Sequence, residues 1–229
     1  SKIGSPAAGS CSDDIRGYPK VAVTMAAIQG TGILADFIWY PFLPLLALDL
    51  AKGDQVVALY WVSASWILMG SLRVFAGPLW GYVADRVGRK PMLLRSQVFS
   101  IVSPALLGWL DAPWQLCIVM AMLGLFSANT TAAASLVSVS VPAAKLSKSL
   151  ALVTGTQYVG MTVGPAVGGV LITGGGYPLA ILVAVAIAVA TPIATLLLVP
   201  ADIVRVKGTR PAPLERLRPT AQLWLILLI

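Results

Sequence analysis

Six long apolar runs, separated by short bursts of charge, constrain this chain more than any other feature. They cover residues 21–48, 56–81, 91–110, 114–141, 148–172 and 177–199. Each is long enough for a helix to cross the hydrocarbon core of a bilayer, which takes about 20 residues. Only 11% of the 229 residues are charged, against about 25% in a soluble domain. So little charge does not clothe a water-soluble surface of this size, and the expected solvent is lipid. In lipid every backbone polar group is satisfied inside the structure, which leaves helices and closed barrels. The apolarity here is continuous rather than alternating, and that selects helices. The expected fold class is an all-α membrane protein with six transmembrane helices. A seventh apolar run starts at Ala221 and stops at Ile229, too short to span.

The basic residues give the threading. Fourteen of the sixteen Lys and Arg fall at alternate borders of the runs. Lys2, Arg16 and Lys20 precede the first run; Arg86, Arg89 and Lys90 lie between the second and third, and Arg95 just inside the start of the third. Lys145 and Lys148 separate the fourth and fifth, and Arg205, Lys207, Arg210, Arg216 and Arg218 follow the sixth. Lys52 alone lies at the opposite borders, and Arg73 lies inside the second run. Basic loops stay on the cytoplasmic side, so the N-terminus is expected inside, in a multi-pass protein of the cell (cytoplasmic or inner) membrane. The expected organisation is a cytoplasmic tail at 1–20, a six-helix transmembrane lobe at 21–199, a cytoplasmic loop at 200–220 and the start of a further helix at 221–229.

Several function classes are excluded. The chain has no histidine, which removes Ser-His-Asp and Cys-His catalysis. Its two cysteines, Cys11 and Cys117, suggest neither a disulfide framework nor a metal site. No phosphate-binding loop of the G-x4-G-K-[ST] type is present. The net charge of +7 is dispersed between apolar runs rather than gathered on one face, so nucleic acid is not an expected partner. The first 20 residues are polar and lead into a full-length apolar run, unlike a cleaved signal peptide. No enzyme activity, metal or organic cofactor is expected.

Two motifs carry more specific information. Residues 81–90 read GYVADRVGRK, the pattern G-x3-D-R-x-G-R-K, where the second run meets a burst of charge. In the fifth run Gly160, Gly164, Pro165, Gly168 and Gly169 form the pattern G-x3-G-P-x2-G-G. A shared G-P-x-x-G, at 77–81 and at 164–168, hints at internal repetition with the two copies at opposite membrane faces. Plain abundance of Gly and Pro in membrane helices is the alternative.

The first motif resembles the signature loop between helices 2 and 3 of the major facilitator superfamily, and the second resembles the helix-5 antiporter motif of that superfamily. The resemblance runs from helix 1 to the start of helix 7, which is the first half of a twelve-helix transporter. It implies a six-helix N-terminal lobe of two inverted three-helix repeats. It is nearest to the drug:proton antiporters, which implies alternating-access export of drug-like or amphipathic small molecules with protons as the coupling ion. The implied partners are a small-molecule substrate, the lipid bilayer and a missing C-terminal six-helix lobe. The stop at Ile229 and the start at Ser1 point to a fragment. Two alternatives stay open: a proton-coupled importer of a metabolite such as a sugar or organic acid, and a non-transporting half-protein or membrane subunit. One departure concerns coupling. The family often carries an arginine four residues before a helix-4 glycine, and here Met120 stands in that place before Gly124.

Candidate residues follow from position and residue type. Asp36 falls near the middle of the first run, where a carboxylate costs about 2.5–3.5 kcal/mol. Gln29, Gly32, Asp36 and Tyr40 share a helical stripe about 80° wide, which should face a water-filled cavity. Asp36 is expected to exchange a proton with a cationic or polar substrate; satisfying a neighbouring helix is the alternative. Asn129 and Gln157 are further cavity candidates, and Trp39, Tyr40, Trp61 and Trp66 are a candidate aromatic lining. Arg73 either snorkels to the cytoplasmic surface, holds an anion or balances an acidic residue. By resemblance, Gly81, Asp85, Arg86, Gly88, Arg89 and Lys90 form a cytoplasmic gate, with Asp85 facing the second lobe. Gly160, Gly164 and Gly168 make a small-residue face on the fifth helix, and Pro165 favours a bend. That face serves either gating or static packing.

The charge asymmetry predicts a labelling pattern. After replacement of the native cysteines, an Arg86→Cys variant should react with a membrane-impermeant maleimide only once cells are opened. A Lys52→Cys variant should react in intact cells; the reverse pattern would overturn the threading.

Overall fold

The computed structural model describes residues 10–87, 89–126 and 129–199. The expected loop at 200–220, the run at 221–229 and the first nine residues of the expected tail lie outside the described residues. Among the described residues the structure is helical, with no strand. Helix α1 runs Ser10–Trp39, starting inside the stretch read as a tail. A 3₁₀ turn at Tyr40–Phe42 and helix α2, Leu43–Leu50, complete the first span. Pro41 and Pro44 sit at the first turns of these two elements, where a missing N–H is tolerated. The second span is α3, Gln55–Val87, and the third is α4, Arg89–Leu107. The fourth span is made by α5, Gln115–Phe126, and α6, Asn129–Ser140.

Helix α7, Ala143–Leu198, carries both the fifth and the sixth spans. It has 56 residues, about 84 Å of helix and far more than one bilayer crossing. The chain reverses at Gly176, whose φ of 74° and ψ of −177° are open only to a residue without Cβ. At the other sharp turn, Lys52 and Gly53 take φ of 53° and 87°. The Gly53 N–H donates to Leu48 O at 2.9 Å, closing α2. The Asp54 carboxylate accepts from the N–H groups of Val56 and Val57 at 3.0 and 3.1 Å, opening α3.

Three pairings organise the spans. The first packs along the fifth, the second against the fourth and the third against the sixth. A twofold exchanging spans one and four, two and five, and three and six maps the first pairing onto the second and the third onto itself. Inverted repeats require that relation. Large apolar side chains such as Val56, Phe75 and Leu197 are 79%, 76% and 79% exposed, as expected where lipid is the solvent. Among the described residues, Lys20–Leu50, Gln55–Ala84 and Ala144–Leu198 are long and apolar enough to cross a membrane.

The first-to-fifth pairing is a backbone contact. A Cβ on Gly160 would lie 2.7 Å from Gly30 O, and one on Gly164 would lie 2.6 Å from Phe37 Cβ. One on Gly168 would lie 2.1 Å from Ile38 O. Added carbon there forces the helices apart, because lipid supplies no hydrophobic force to hold a looser pair. Gly77 and Gly81, in the other copy of the repeated motif, have open space at the corresponding point. The two copies therefore do different jobs within the lobe.

Substitution on this seam should cost stability. Gly168→Val is expected to destabilise by about 1–3 kcal/mol through overpacking. Gly155→Ala, where the added carbon meets nothing within 4 Å, should leave the melting temperature in detergent unchanged. Equal melting of both variants would refute the seam.

Candidate functional site

The polar stripe of α1 faces protein, not the open cavity expected from the sequence. Gln29 is fully buried and Asp36 is 8% exposed, while Tyr40 is half-buried. The reason is geometric: the small-residue seam turns one side of α1 against α7, and α3 approaches near Tyr40. Gln157 Nε2 donates to Gln29 Oε1 at 3.4 Å, joining two predicted candidates across the first and fifth spans. Thr156 Oγ1 donates to Ala26 O at 2.8 Å one turn away.

Arg73, on α3, is exposed. The aromatic residues divide. Tyr40 packs edge-on against Trp66, ring centroids 5.5 Å apart, and against Trp39 at 4.2 Å. Trp39 is fully buried and belongs to the core, not to a lining. Trp61 packs on Tyr60, centroids 5.3 Å apart.

The loop motif ties the lobe together from one end. Arg89 Nη1 donates to Ser135 O and lies 3.4 Å from Ser138 Oγ, in the second half of α6. Lys90 Nζ donates to Val199 O and, at 3.3 Å, to Leu196 O, at the end of α7. Lys90 thus meets a helix C-terminus, where unpaired carbonyls and the helix dipole favour positive charge, while Arg89 binds a carbonyl inside α6. Gly81 is exposed. Gly88 and the side chains of Asp85, Arg86 and Asn129 lie outside the described residues.

In the fifth span, Gly160, Gly164 and Gly168 form the seam already described, and a Cβ on Gly169 would make ordinary contact with Phe42 at 3.7 Å. Helix α7 passes through Pro165 with helical dihedrals, and its one non-helical residue is Gly176. The bend expected at Pro165 is therefore not a dihedral break. On the fourth span Met120 is fully buried among Leu116 and Leu123.

Sequence reasoning missed two polar arrangements. Arg95 lies over the Trp80 ring, 3.5 Å from its centroid, and Trp80 Nε1 donates to Leu125 O at 2.6 Å. Gln97 Nε2 donates to Thr195 Oγ1 at 2.9 Å, inside the third-to-sixth pairing. A polar residue in an apolar run is the only trace either leaves in the sequence. Among the described residues no cluster of His, Cys, Asp or Glu could hold a metal ion.

Residues 21–229 match the family model of the Major Facilitator Superfamily. The chain is similar to the multidrug resistance protein MdtG of Proteus mirabilis, with 33% identity over 131 residues, 57% of this chain and 33% of that protein. It is similar to MdtG of Enterobacter lignolyticus, with 34% identity over 131 residues, 57% of this chain and 31% of that protein. The chain thus spans about a third of the length of these relatives. In fold it is similar to the crystal structure of the human organic anion transporter MFSD10 (TETRAN), with a TM-score of 0.71 and 18% identity. That likeness covers 85% of this chain and 50% of the human one.

The contacts of Lys90 generate a prediction. Lys90→Met should remove a charged donor from the α7 C-terminus and destabilise the lobe by about 1 kcal/mol. Lys90→Arg should keep most of that stability, as measured by thermal unfolding in detergent.

Proposed function

The chain belongs to the major facilitator superfamily, and from that premise we propose that it forms the N-terminal six-helix lobe of a secondary transporter that exports drug-like or amphipathic small molecules in exchange for protons. The superfamily supplies transport rather than catalysis. Export of drugs is supported by the relatives named for multidrug resistance, whose likeness extends over 131 residues of this chain. The proposed setting is the cytoplasmic membrane with the N-terminus inside. The proposed partner is a second six-helix lobe, against which this one rocks around a midplane site.

Proton coupling is carried by one observation. Asp36, in the membrane-spanning part of α1, is a buried carboxylate. An ionisable group at that depth is costly, and a function is its default explanation. In exchange, proton and substrate use the same carboxylate in turn: a cationic substrate group binds the ionised form, and the proton occupies it otherwise. Each ligand then lowers the other's affinity by the same factor. Gln29 and Gln157 offer amide groups on the same side of α1, and Trp66 and Tyr40 offer aromatic faces for a lipophilic cation. No organic cofactor enters this scheme.

Replacing the carboxylate with an amide tests it. Proton transfer through a positioned side chain contributes about 10²–10⁴-fold. Asp36→Asn in the complete encoded protein should lower proton-driven drug accumulation in everted vesicles at least about a hundredfold. Transport at the parent rate would remove Asp36 from the mechanism.

A further inference from the structure

Arg95 is a cation on the outer side of the lobe with no hydrogen-bond or ion-pair partner among the described residues. It lies six residues into α4 from Arg89, about 9 Å further along the helix. Pro91, four residues before it, and Val98, three after, share its face of the helix and are both exposed. On α3, Leu79 and Tyr82, on either side of Trp80, are exposed as well. The surface where α3 and α4 meet therefore looks out to lipid rather than into the lobe. A cation on such a surface is costly unless an anion meets it. Arg89 and Lys90 give their donors to carbonyls of α6 and α7, and Arg95 has no such outlet.

The guanidinium is nonetheless held in place. It lies over the Trp80 ring, 3.5 Å from the centroid. At that distance the planar group meets the ring through its face, which leaves its in-plane N–H donors for a second partner. Nε and Nη1 are buried without a hydrogen-bond partner while the side chain as a whole is half-buried, so the group is reachable from one end. Trp80 is fixed in turn. Its Nε1 donates to Leu125 O at 2.6 Å, and its ring meets Phe126, centroids 6.0 Å apart. Phe126 stacks at 4.4 Å on Phe99, one turn from Arg95. The second, third and fourth spans thus build the platform before any ligand arrives, and a preformed site loses less on binding.

We infer that this platform binds the phosphate of an anionic phospholipid in the cytoplasmic leaflet. The reachable end of the guanidinium donates to the phosphate oxygens in charge-assisted hydrogen bonds, and the acyl chains lie along exposed side chains such as Val98 and Leu79. The ligand is a lipid rather than a free anion because the site opens onto the bilayer. Basic pockets between helices on the cytoplasmic side suit anionic head groups. The choice of leaflet rests on the threading read from the loop charges, which the Arg86→Cys and Lys52→Cys labelling tests separately.

The test uses the complete encoded protein, stripped of lipid in detergent. Dioleoylphosphatidylglycerol is the probe and dioleoylphosphatidylcholine the net-neutral control. Binding is read by native mass spectrometry and by the rise in melting temperature, so the result is independent of any transport activity. The parent should bind phosphatidylglycerol at least about tenfold more tightly than phosphatidylcholine, and Arg95→Gln should lose at least about tenfold of that affinity. Lys148→Gln, which removes an exposed cation of the same border, should stay within about twofold of the parent. If Arg95→Gln does not fold, Arg95→Lys takes its place. Its affinity should fall at least about threefold, because an ammonium lacks the planar fork, and parental affinity there would count against the site. Equal affinity of the parent for the two lipids, or parental binding by a folded Arg95→Gln variant, would overturn the inference. An equal loss in Lys148→Gln would assign the attraction to the diffuse charge of this border and overturn it too. Inorganic phosphate at the same concentration should not shift melting; a shift matching that of phosphatidylglycerol would make this a site for a free anion and overturn the lipid assignment.

Discussion

Everything in this lobe is referred to the contact between the first and fifth spans. In a bilayer the apolar surface of one helix gains little by leaving lipid for another helix, so association rests on close packing. Gly160, Gly164 and Gly168 supply it by letting α7 reach the backbone of α1 at Gly30, Phe37 and Ile38. Three such points along one seam fix both the rotation and the register of α1. A helix fixed in rotation has its remaining faces assigned, and so the stripe holding Gln29 and Asp36 becomes interior.

A second close approach, Met69 on Gly124, does for the second and fourth spans what the glycine seam does for the first and fifth. The two contacts correspond under the pseudo-twofold of the lobe. The residues supplying them do not correspond, since the glycines lie on the fifth span in one pair and the fourth in the other. Symmetry is therefore kept in the placement of helices and broken in chemistry. That asymmetry leaves room for Asp36 on one side, with Met120 buried in apolar surroundings on the other.

The basic end of the loop motif acts inside the lobe as well as at its border. Arg89 reaches the second half of α6 and Lys90 the end of α7, so the junction of the second and third spans is tied to the fourth and sixth. These ties join residues 46 and 109 positions apart in the chain. Arg95 on Trp80, a few residues away, adds a cation–π contact between the second and third spans.

The sequence alone made an all-α membrane fold legible, with apolar runs long enough to cross and charge gathered at their borders. Those properties depend on local composition: about 20 apolar residues per crossing, with charge excluded from the hydrocarbon. It also made the glycine seam legible as a pattern, because spacing on a helix places residues on one face. What that face touches was not legible, and neither was the side to which Asp36 turns. Asp36 shows why: a polar stripe can face a cavity or a neighbouring helix, and the choice lies with the glycine seam of the fifth span, far along the chain. The rotation of each helix about its axis is set by contacts between distant segments, and only the packed lobe decides it.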